Sequence, residues 1–378
     1  MNEISFRTTL YAGTNSLDRL VELQEEKIFI VTDPFIVESG MIDHVVRRIK
    51  QHANEYCVFS DIVPDPPVEK VVAGVKEMAE FKPTSIIAIG GGSAIDAAKA
   101  MKDFAMKIYH MDAIRVIVIP TTSGTGSEVT SFSVITDNEK NIKYPLVSDT
   151  LLPDEAILDA ELVKTVPKTI TADTGMDVLT HAIEAYVATG ANDFSDALAE
   201  KAVRLVLRYL PLAYQHGEDI EAREKMHHAS TLAGMAFNLA GLGINHSIAH
   251  ACGGKLHIPH GRLNTIILPY VIEYNASLTD YRQREFSEAA MKYNELAKAI
   301  GLSPTNVRSG VKGLMKEIEQ LRKKLNMPSS LKECGIDYNH FQKEKGALAE
   351  AALQDGCTNT NPIVPCKEDM ESIIESMY

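Results

Sequence analysis

The chain has no Cys-x-x-Cys pair, no apolar run long enough to span a bilayer, no G-x-G-x-x-G fingerprint and no excess of Lys and Arg. Each absence removes a class of protein. Its five cysteines (Cys57, Cys252, Cys334, Cys357, Cys366) are odd in number and widely spaced, as reduced cytosolic thiols would be, which argues against a disulfide framework. The opening MNEISFRTTLY has neither a basic nor an apolar signal region, so the chain reads as unexported and without a membrane partner. A net charge of -13 disfavours nucleic acid and anionic lipid, because both depend on clustered cationic side chains. There is no internal repeat and no low-complexity tract.

What is present is a hydrophobic content of 45% in 378 residues, enough for two buried cores. Up to about Asp159, short β-branched runs alternate with amphipathic stretches, the signature of a parallel sheet covered by helices. Strands are expected at Lys27–Thr32, Tyr56–Ser60, Ser85–Ile89, Arg115–Ile119 and Ala156–Leu158, with helices at Val68–Glu80 and Ala94–Ala105. Alternating runs between Val129 and Ser148, around Thr136–Lys140, predict a β-hairpin as an edge flap. After Pro167 helical periodicity takes over, as in Asp196–Leu210, Glu221–Gly241, Arg282–Ile300 and Asn306–Leu325. The expected organisation is an α/β nucleotide-binding domain over residues 1–165 and an all-helical domain over residues 166–378.

Two turns at expected strand ends have the composition of a nucleotide site. Gly90-Gly91-Gly92-Ser93 leads from a strand into a good helix former series, so backbone N–H groups and a helix N-terminus can meet a pyrophosphate. The run Thr121-Thr122-Ser123-Gly124-Thr125-Gly126-Ser127-Glu128 adds hydroxyls and two glycines at the next strand end, where ligands of open parallel sheets bind. Asp33, after a third strand, is positioned to accept hydrogen bonds from an adenosine ribose and to repel a 2′-phosphate. An ordinary Asp33-Pro34 turn is the competing reading.

The helical segments carry a metal signal. Four histidines (His246, His250, His257, His260) fall within fifteen residues, and Asp177 and His181 stand one helical turn apart upstream. Imidazoles with one carboxylate suit a divalent transition ion, and such a set leaves the ion an excess of about one positive charge with which to act as a Lewis acid on a substrate oxygen. Hydride chemistry would then belong to the bound nucleotide. His227, His228 and His257 read as surface or accessory groups, and Cys252 as a small buried side chain.

Together, Gly90-Gly91-Gly92-Ser93 with Asp96, the Thr121–Glu128 loop, Asp177-x-x-x-His181, His246-x-x-x-His250, His260-Gly261 and Cys357-Thr358-Asn359-Thr360-Asn361-Pro362 resemble the iron-containing (group III) alcohol dehydrogenases over essentially the whole chain. The resemblance implies Asp177, His181, His246 and His260 as ligands of Fe(II), with Zn(II) an alternative, and His250 beside nicotinamide and substrate as a proton relay. It implies NAD(H), contacted through Asp33, the glycine turn with Ser93 and Asp96, Thr121, Thr122, Thr125, Ser127 and Lys143. Tyr144-Pro145-Leu146, Pro64-Asp65-Pro66-Pro67 and Pro328-Ser329-Ser330-Leu331 look most like the branch that interconverts propanal and 1-propanol in propanediol-utilisation microcompartments. Ethanol, butanol or 1,3-propanediol are alternative substrates within the family. A homodimer, a cytoplasmic or microcompartment location and association with microcompartment enzymes are implied as well. Asp65, where many members carry Asn, and Ala251-Cys252 after His250 depart from the usual pattern. Remoter readings are a dehydroquinate-synthase-like enzyme, disfavoured because only Lys255 and Arg262 accompany the metal segments, and a silent NAD-binding scaffold.

Overall fold

The computed structural model describes residues 4–137, 142–280 and 282–378. The chain divides into two compact units, residues 1–166 with 218–234 and residues 167–217 with 235–378. Among the described residues no helix is long and apolar enough to cross a membrane.

The first unit is built on a six-stranded sheet, β1 (Thr9–Ala12), β2 (Lys27–Val31), β3 (Glu55–Phe59), β4 (Ser85–Gly90), β5 (Arg115–Pro120) and β8 (Glu155–Leu158), in the order β1-β8-β5-β4-β2-β3 with all pairings parallel. Strand periodicity explains its two cores. Ile86, Ala88, Val116 and Val118 face one core with α3 (Val68–Phe81) and α4 (Gly92–Tyr109). Their neighbours Ile87, Ile89, Ile117 and Ile119 face the other, with Ile36 of α1 (Pro34–Glu38) and Val45 and Ile49 of α2 (Asp43–Ile49). Burial on both faces is why β4 and β5 read as continuous apolar runs. Strand β1 shows no such run because it lies at an edge with Thr9, Leu10 and Ala12 exposed, and sequence reading did not find it.

The hairpin forms between β6 (Phe132–Asp137) and β7 (Ile142–Val147), paired antiparallel from Phe132↔Val147 to Asp137↔Ile142. It is a separate ribbon and not an edge of the main sheet, held by a bridge between Pro67 and Thr136. The expected turn residues 138–141 lie outside the described part.

The second unit is helical: α5 (Lys168–Val187), α6 (Asp193–Gln215), α8 (Ile244–Leu256), α9 (His260–Ala276), α10 (Glu288–Ala299), α11 (Val307–Lys324), α12 (Tyr338–Gln354) and α13 (Lys367–Ser376), with α7 (Ile220–Ala240) shared along the chain between the two units. Residues of α8, α9, α12 and α13, including Ile244, Ile248, Leu263, Ile267, Phe341, Leu348 and Ile374, make one apolar core. Helix α10 begins at Glu288 instead of near Arg282, because Ser287 caps it by accepting from the Ala290 N–H at 3.1 Å. The placement of residues 218–234 in the first unit also differs from a single cut near residue 165. That half of α7 serves the Thr121–Glu128 loop: a Cβ on Gly126 would lie 2.7 Å from Gly234 Cα, and Thr231 donates to Glu128 at 2.8 Å. Helical periodicity cannot say which core a helix serves.

Candidate metal centre and nucleotide turns

Helix α5 is buried at every position from Gly175 to Val187, so its polar side chains must find partners inside the unit. Asp177, His181 and Glu184 follow one another along it at helical spacing. Helix α8 starts against this row at Gly243, where a Cβ would lie 2.7 Å from Asn361 Oδ1 and 2.9 Å from Glu184 Oε1. Only glycine permits the approach. Glu184 then holds the first turn of α8: its Oε1 accepts from the Asn245 N–H at 2.8 Å and its Oε2 pairs with His246 Nδ1. With Nδ1 committed to a carboxylate, Nε2 of His246 is left toward Asp177 Oδ1, 3.7 Å away.

Helix α9 makes the same kind of entry. A Cβ on Gly261 would lie 2.0 Å from the Asp173 carbonyl oxygen, and the guanidinium of Arg262 closes the junction on the Asp173 carboxylate at 3.2 and 2.9 Å. His260, the first residue of α9, thereby places Nε2 3.6 Å from Asp177 Oδ1. The His181 ring packs between Phe237 at 4.7 Å and His246 at 4.4 Å. Donor atoms of Asp177, His181 and His246 all lie within 4.8 Å of one another. Asn264 donates to Asp177 Oδ1 at 2.6 Å, and its Nδ2 is 3.2 Å from His246 Nε2 and 3.1 Å from His260 Nε2.

The charges ask for a positive centre. Burial would raise the Asp177 carboxyl, yet the imidazoles of His181, His260 and His246 hold it far below the usual carboxylate range. Burial would lower His246, yet Glu184 and Asp177 outweigh it and raise the imidazole to about 9. One carboxylate among three converging imidazoles, with a second carboxylate behind His246, is the donor chemistry that suits a divalent ion in an N/O site.

His250 faces a different partner. Its ring stacks on His260 at 5.2 Å with 13° between planes, and Nδ1 meets Asp355 Oδ2 at 2.9 Å. Cys357 is near enough to make His250, Asp355 and Cys357 a second donor cluster, but burial and Asp355 push its thiol well up, which keeps it protonated. Of the remaining histidines, His257 ends α8 in the left-handed region at φ 53° and His228 sits 3.8 Å from Glu224. His227 is neither a surface group nor part of the metal row: it is buried in the first unit with Nδ1 2.9 Å from Ser123 Oγ, and burial lowers it to about 3. Cys252 is buried, its thiol pushed up to about 12. Glu184, Asn264 and Asp355 escaped sequence reading. Glu184 had a signal, three residues after His181 on the same face, and so did Asn264, four after His260. Asp355 had none.

In the first unit the strand order changes direction between β2 and β4, which makes their carboxyl ends the topological switch point. Asp33 and Gly90 stand there. Gly90 adopts φ 154°, and a Cβ on it would lie 2.7 Å from Ala94 Cβ and 3.3 Å from Asp33 Oδ2. Asp33 also caps α1, its Oδ1 accepting from Ile36 N–H at 3.1 Å, so the turn reading holds alongside any ligand role. Gly91 precedes α4 with no side-chain cap, leaving N–H groups of the first turn available to an anion. Thr122 and Thr125 line this turn, the hydroxyl of Thr122 being 3.5 Å from a Cβ on Gly91 and the Thr125 methyl 2.7 Å from one on Gly92. Thr121 N–H donates to Gly90 O at 2.9 Å and Ser93 is half-buried at the helix start.

Asp96 and Ser127 do different work. The Asp96 carboxylate is taken by Ser127 Oγ and by the Val134 N–H at 3.0 Å. Lys99, fully buried, donates to Ser127 Oγ and the carbonyls of Thr130 and Phe132 at 2.8–2.9 Å. Burial lowers this amine to about 8 despite the carboxylates of Asp96 and Glu128. The network braces the loop and ribbon from behind. Lys143 on β7 pairs with Thr136 on β6, and its side chain lies outside the described part.

A row of carboxylate and imidazole donors in one unit and glycine turns at the switch point of a parallel sheet in the other are the features to compare with known families. The profile "Iron-containing alcohol dehydrogenase" matches residues 8–160, and that of the "Fe-containing alcohol dehydrogenase family, C-terminal" matches residues 171–378. The chain belongs to this family and is an oxidoreductase acting on CH–OH groups. Among its relatives, 1-propanol dehydrogenase PduQ of Citrobacter freundii is 45% identical, with 100% of each chain covered. A solved 1,3-propanediol oxidoreductase superposes with TM-score 0.91 at 30% identity, covering 100% of both chains. A sulfoacetaldehyde reductase from Bifidobacterium kashiwanohense, solved in complex with NAD+, superposes with TM-score 0.85 at 28% identity over 100% of this chain and 98% of that one.

Proposed function

We propose that this alcohol dehydrogenase interconverts short-chain aldehydes and primary alcohols, propanal and 1-propanol foremost, using NAD(H) and Fe(II). The observation that carries the reading is the convergence of Asp177, His181, His246 and His260, with Glu184 fixing the orientation of His246. A divalent cation at those donors supplies Lewis acidity toward a carbonyl oxygen. The residues of the chain supply the rest. Asp177 and the three imidazoles would set the position of that acidity, with Glu184 of α5 holding the His246 ring. His250, outside the ligand row, would give a proton to the substrate oxygen in reduction and take it back in oxidation. A nicotinamide held at the switch-point turns would supply the hydride chemistry.

The nucleotide reading rests on the switch-point turns. Gly90, Gly91, Gly92 and Ser93 would present N–H groups to the pyrophosphate, with Thr121, Thr122 and Thr125 beside them and Lys143 on the ribbon. Asp96 and Ser127 would act through the loop they hold. The carboxylate of Asp33 disfavours a 2′-phosphate and so selects NAD(H). Residues 1–165 would carry the nucleotide and residues 166–378 the metal. The 45% identity to a 1-propanol dehydrogenase supports the substrate. A homodimer and an association with microcompartment enzymes are further parts of the proposal.

The test is reduction of C2 to C4 aldehydes by NADH and by NADPH after anaerobic loading with Fe(II) or Zn(II). Turnover is expected to be greatest with propanal, NADH and Fe(II). Absence of turnover with every aldehyde would refute the reading, and a preference for butanal or acetaldehyde would move the substrate to another branch.

A further inference from the structure

We propose that Asp355 is the positioning residue of the reaction: it holds His250 in the Nδ1–H tautomer and so leaves the Nε2 lone pair as the site that exchanges a proton with the substrate oxygen. This rests on the acid–base reading of His250 given above.

The geometry allows one assignment of donors. Asp355 Oδ2 lies 2.9 Å from His250 Nδ1, and an ionised carboxylate can only accept, so the ring nitrogen facing it carries the hydrogen. In a neutral imidazole the other nitrogen is then the acceptor. The carboxylate is held in the ionised form, since the His250 contact and the Cys357 N–H outweigh a burial that would raise it. A ring with the reverse tautomer would put two lone-pair sites against each other at this distance.

The loop around Asp355 does not let the carboxylate drift. Its other oxygen, Oδ1, accepts from the Cys357 N–H at 2.8 Å and from Ser247 Oγ at 3.3 Å, and Ser247 lies on α8 between His246 and His250. Thr358 Oγ1 supports Ser247 at 2.8 Å. The following residues are pinned to the turn before α8 and to α9: Thr360 donates to Leu242 O at 2.6 Å, and Asn361 exchanges amide hydrogen bonds with Asn275 at 2.8 and 3.2 Å. A residue needed only to cap the turn Gly356–Thr360 would use Oδ1 alone. The second oxygen is spent on His250. Nor is this a pair forced by burial, because the His250 side chain is 35% and that of Asp355 22% exposed, and either could be solvated.

The test uses the full-length metal-loaded enzyme. Asp355→Asn keeps an oxygen for Cys357 and Ser247 but turns an amide donor toward His250, which reverses the favoured tautomer. Expected are a kcat lower by about 10- to 100-fold, a KM for propanal changed by no more than about twofold, and unchanged metal per chain. In a His250→Gln background the same substitution should cause no further loss. The unaltered Zn(II)-loaded protein, 15N-labelled at histidine, should show His250 protonated at Nδ1, a readout that does not depend on any variant folding. Native kcat in Asp355→Asn alongside an impaired His250→Gln would overturn the positioning role and spare the reading of His250. Full activity in His250→Gln would remove that reading and this inference together. An undiminished effect of Asp355→Asn in the double variant, or an Nε2–H tautomer in the native protein, would reduce Asp355 to a loop anchor.

Discussion

The two units solve opposite problems with opposite materials. At the proposed metal centre side chains would make the site and glycines make room for them: Gly243 and Gly261 let α8 and α9 touch α5, so that His246 and His260 arrive beside Asp177. At the glycine turns proposed for the nucleotide the backbone would make the site, and side chains brace it from behind, Lys99 and Asp96 tying the Ser127 loop to α4 and the ribbon. A site of fixed charges tolerates no slack in helix placement. A site of backbone N–H groups needs its loops held in shape but leaves their surface open.

The contrast predicts where each half breaks. Gly261→Ala should be the most damaging change, because the Asp173 carbonyl occupies the space a methyl needs and α9 must retreat with His260. Metal per chain should fall to a small fraction, with activity reduced by more than about 100-fold, read by metal analysis and aldehyde turnover. Lys99→Met should instead spare the metal. It leaves the Ser127 hydroxyl and the Thr130 and Phe132 carbonyls short of their donor, at a cost of about 1–3 kcal/mol, seen as a lower urea midpoint and a higher KM for NADH. Retention of native nucleotide affinity in that variant would show that the brace is not needed.

A smaller effect tests the same loop through pH. His227 is neutral in the fold, lowered to about 3, while its unfolded value is near the ordinary 6.5. The unfolded chain therefore binds the extra proton, and the stability this neutral ring contributes is complete above about pH 6.5 and lost as pH falls toward 3. Between pH 7.5 and 5 the loss is about 2 kcal/mol. His227→Gln should flatten the stability curve by that amount in denaturation at the two pH values, and an unchanged slope would contradict the assignment. The smallest change is Asp33→Asn, which keeps an N-cap for α1 and removes the charge. The ratio of NADPH to NADH activity should rise by about tenfold, equivalent to about 1.4 kcal/mol, and an unaltered ratio would relieve Asp33 of any part in cofactor choice.

Much of this was legible from residue order because its causes are local. Strands β2, β3, β4, β5 and β8 announce themselves as apolar runs, and Asp177 with His181 share a helix face whatever surrounds them. The missing pieces depend on where distant segments meet. Asp355 is 105 residues from His250, and nothing near it in the chain hints at an imidazole partner. Asp96 and Ser127 stand next to glycine turns, where a ligand contact and a brace have the same composition, and only the position of the buried Lys99 amine reveals the brace. The same limit applies to α7, whose periodicity is plain but whose allegiance to the first unit follows from the contact of Gly126 with Gly234.

Helix α5, buried on every side from Gly175 onward, has a consequence for how such an enzyme can change. A helix with a solvent face has positions at which mutations are neutral, and drift collects there. This stretch has none, so each residue around Asp177, His181 and Glu184 is answerable to a neighbour in the core. New substrate preferences in this lineage would have to be acquired around α5, with the helix itself serving as the fixed frame of reference from which its surroundings are varied.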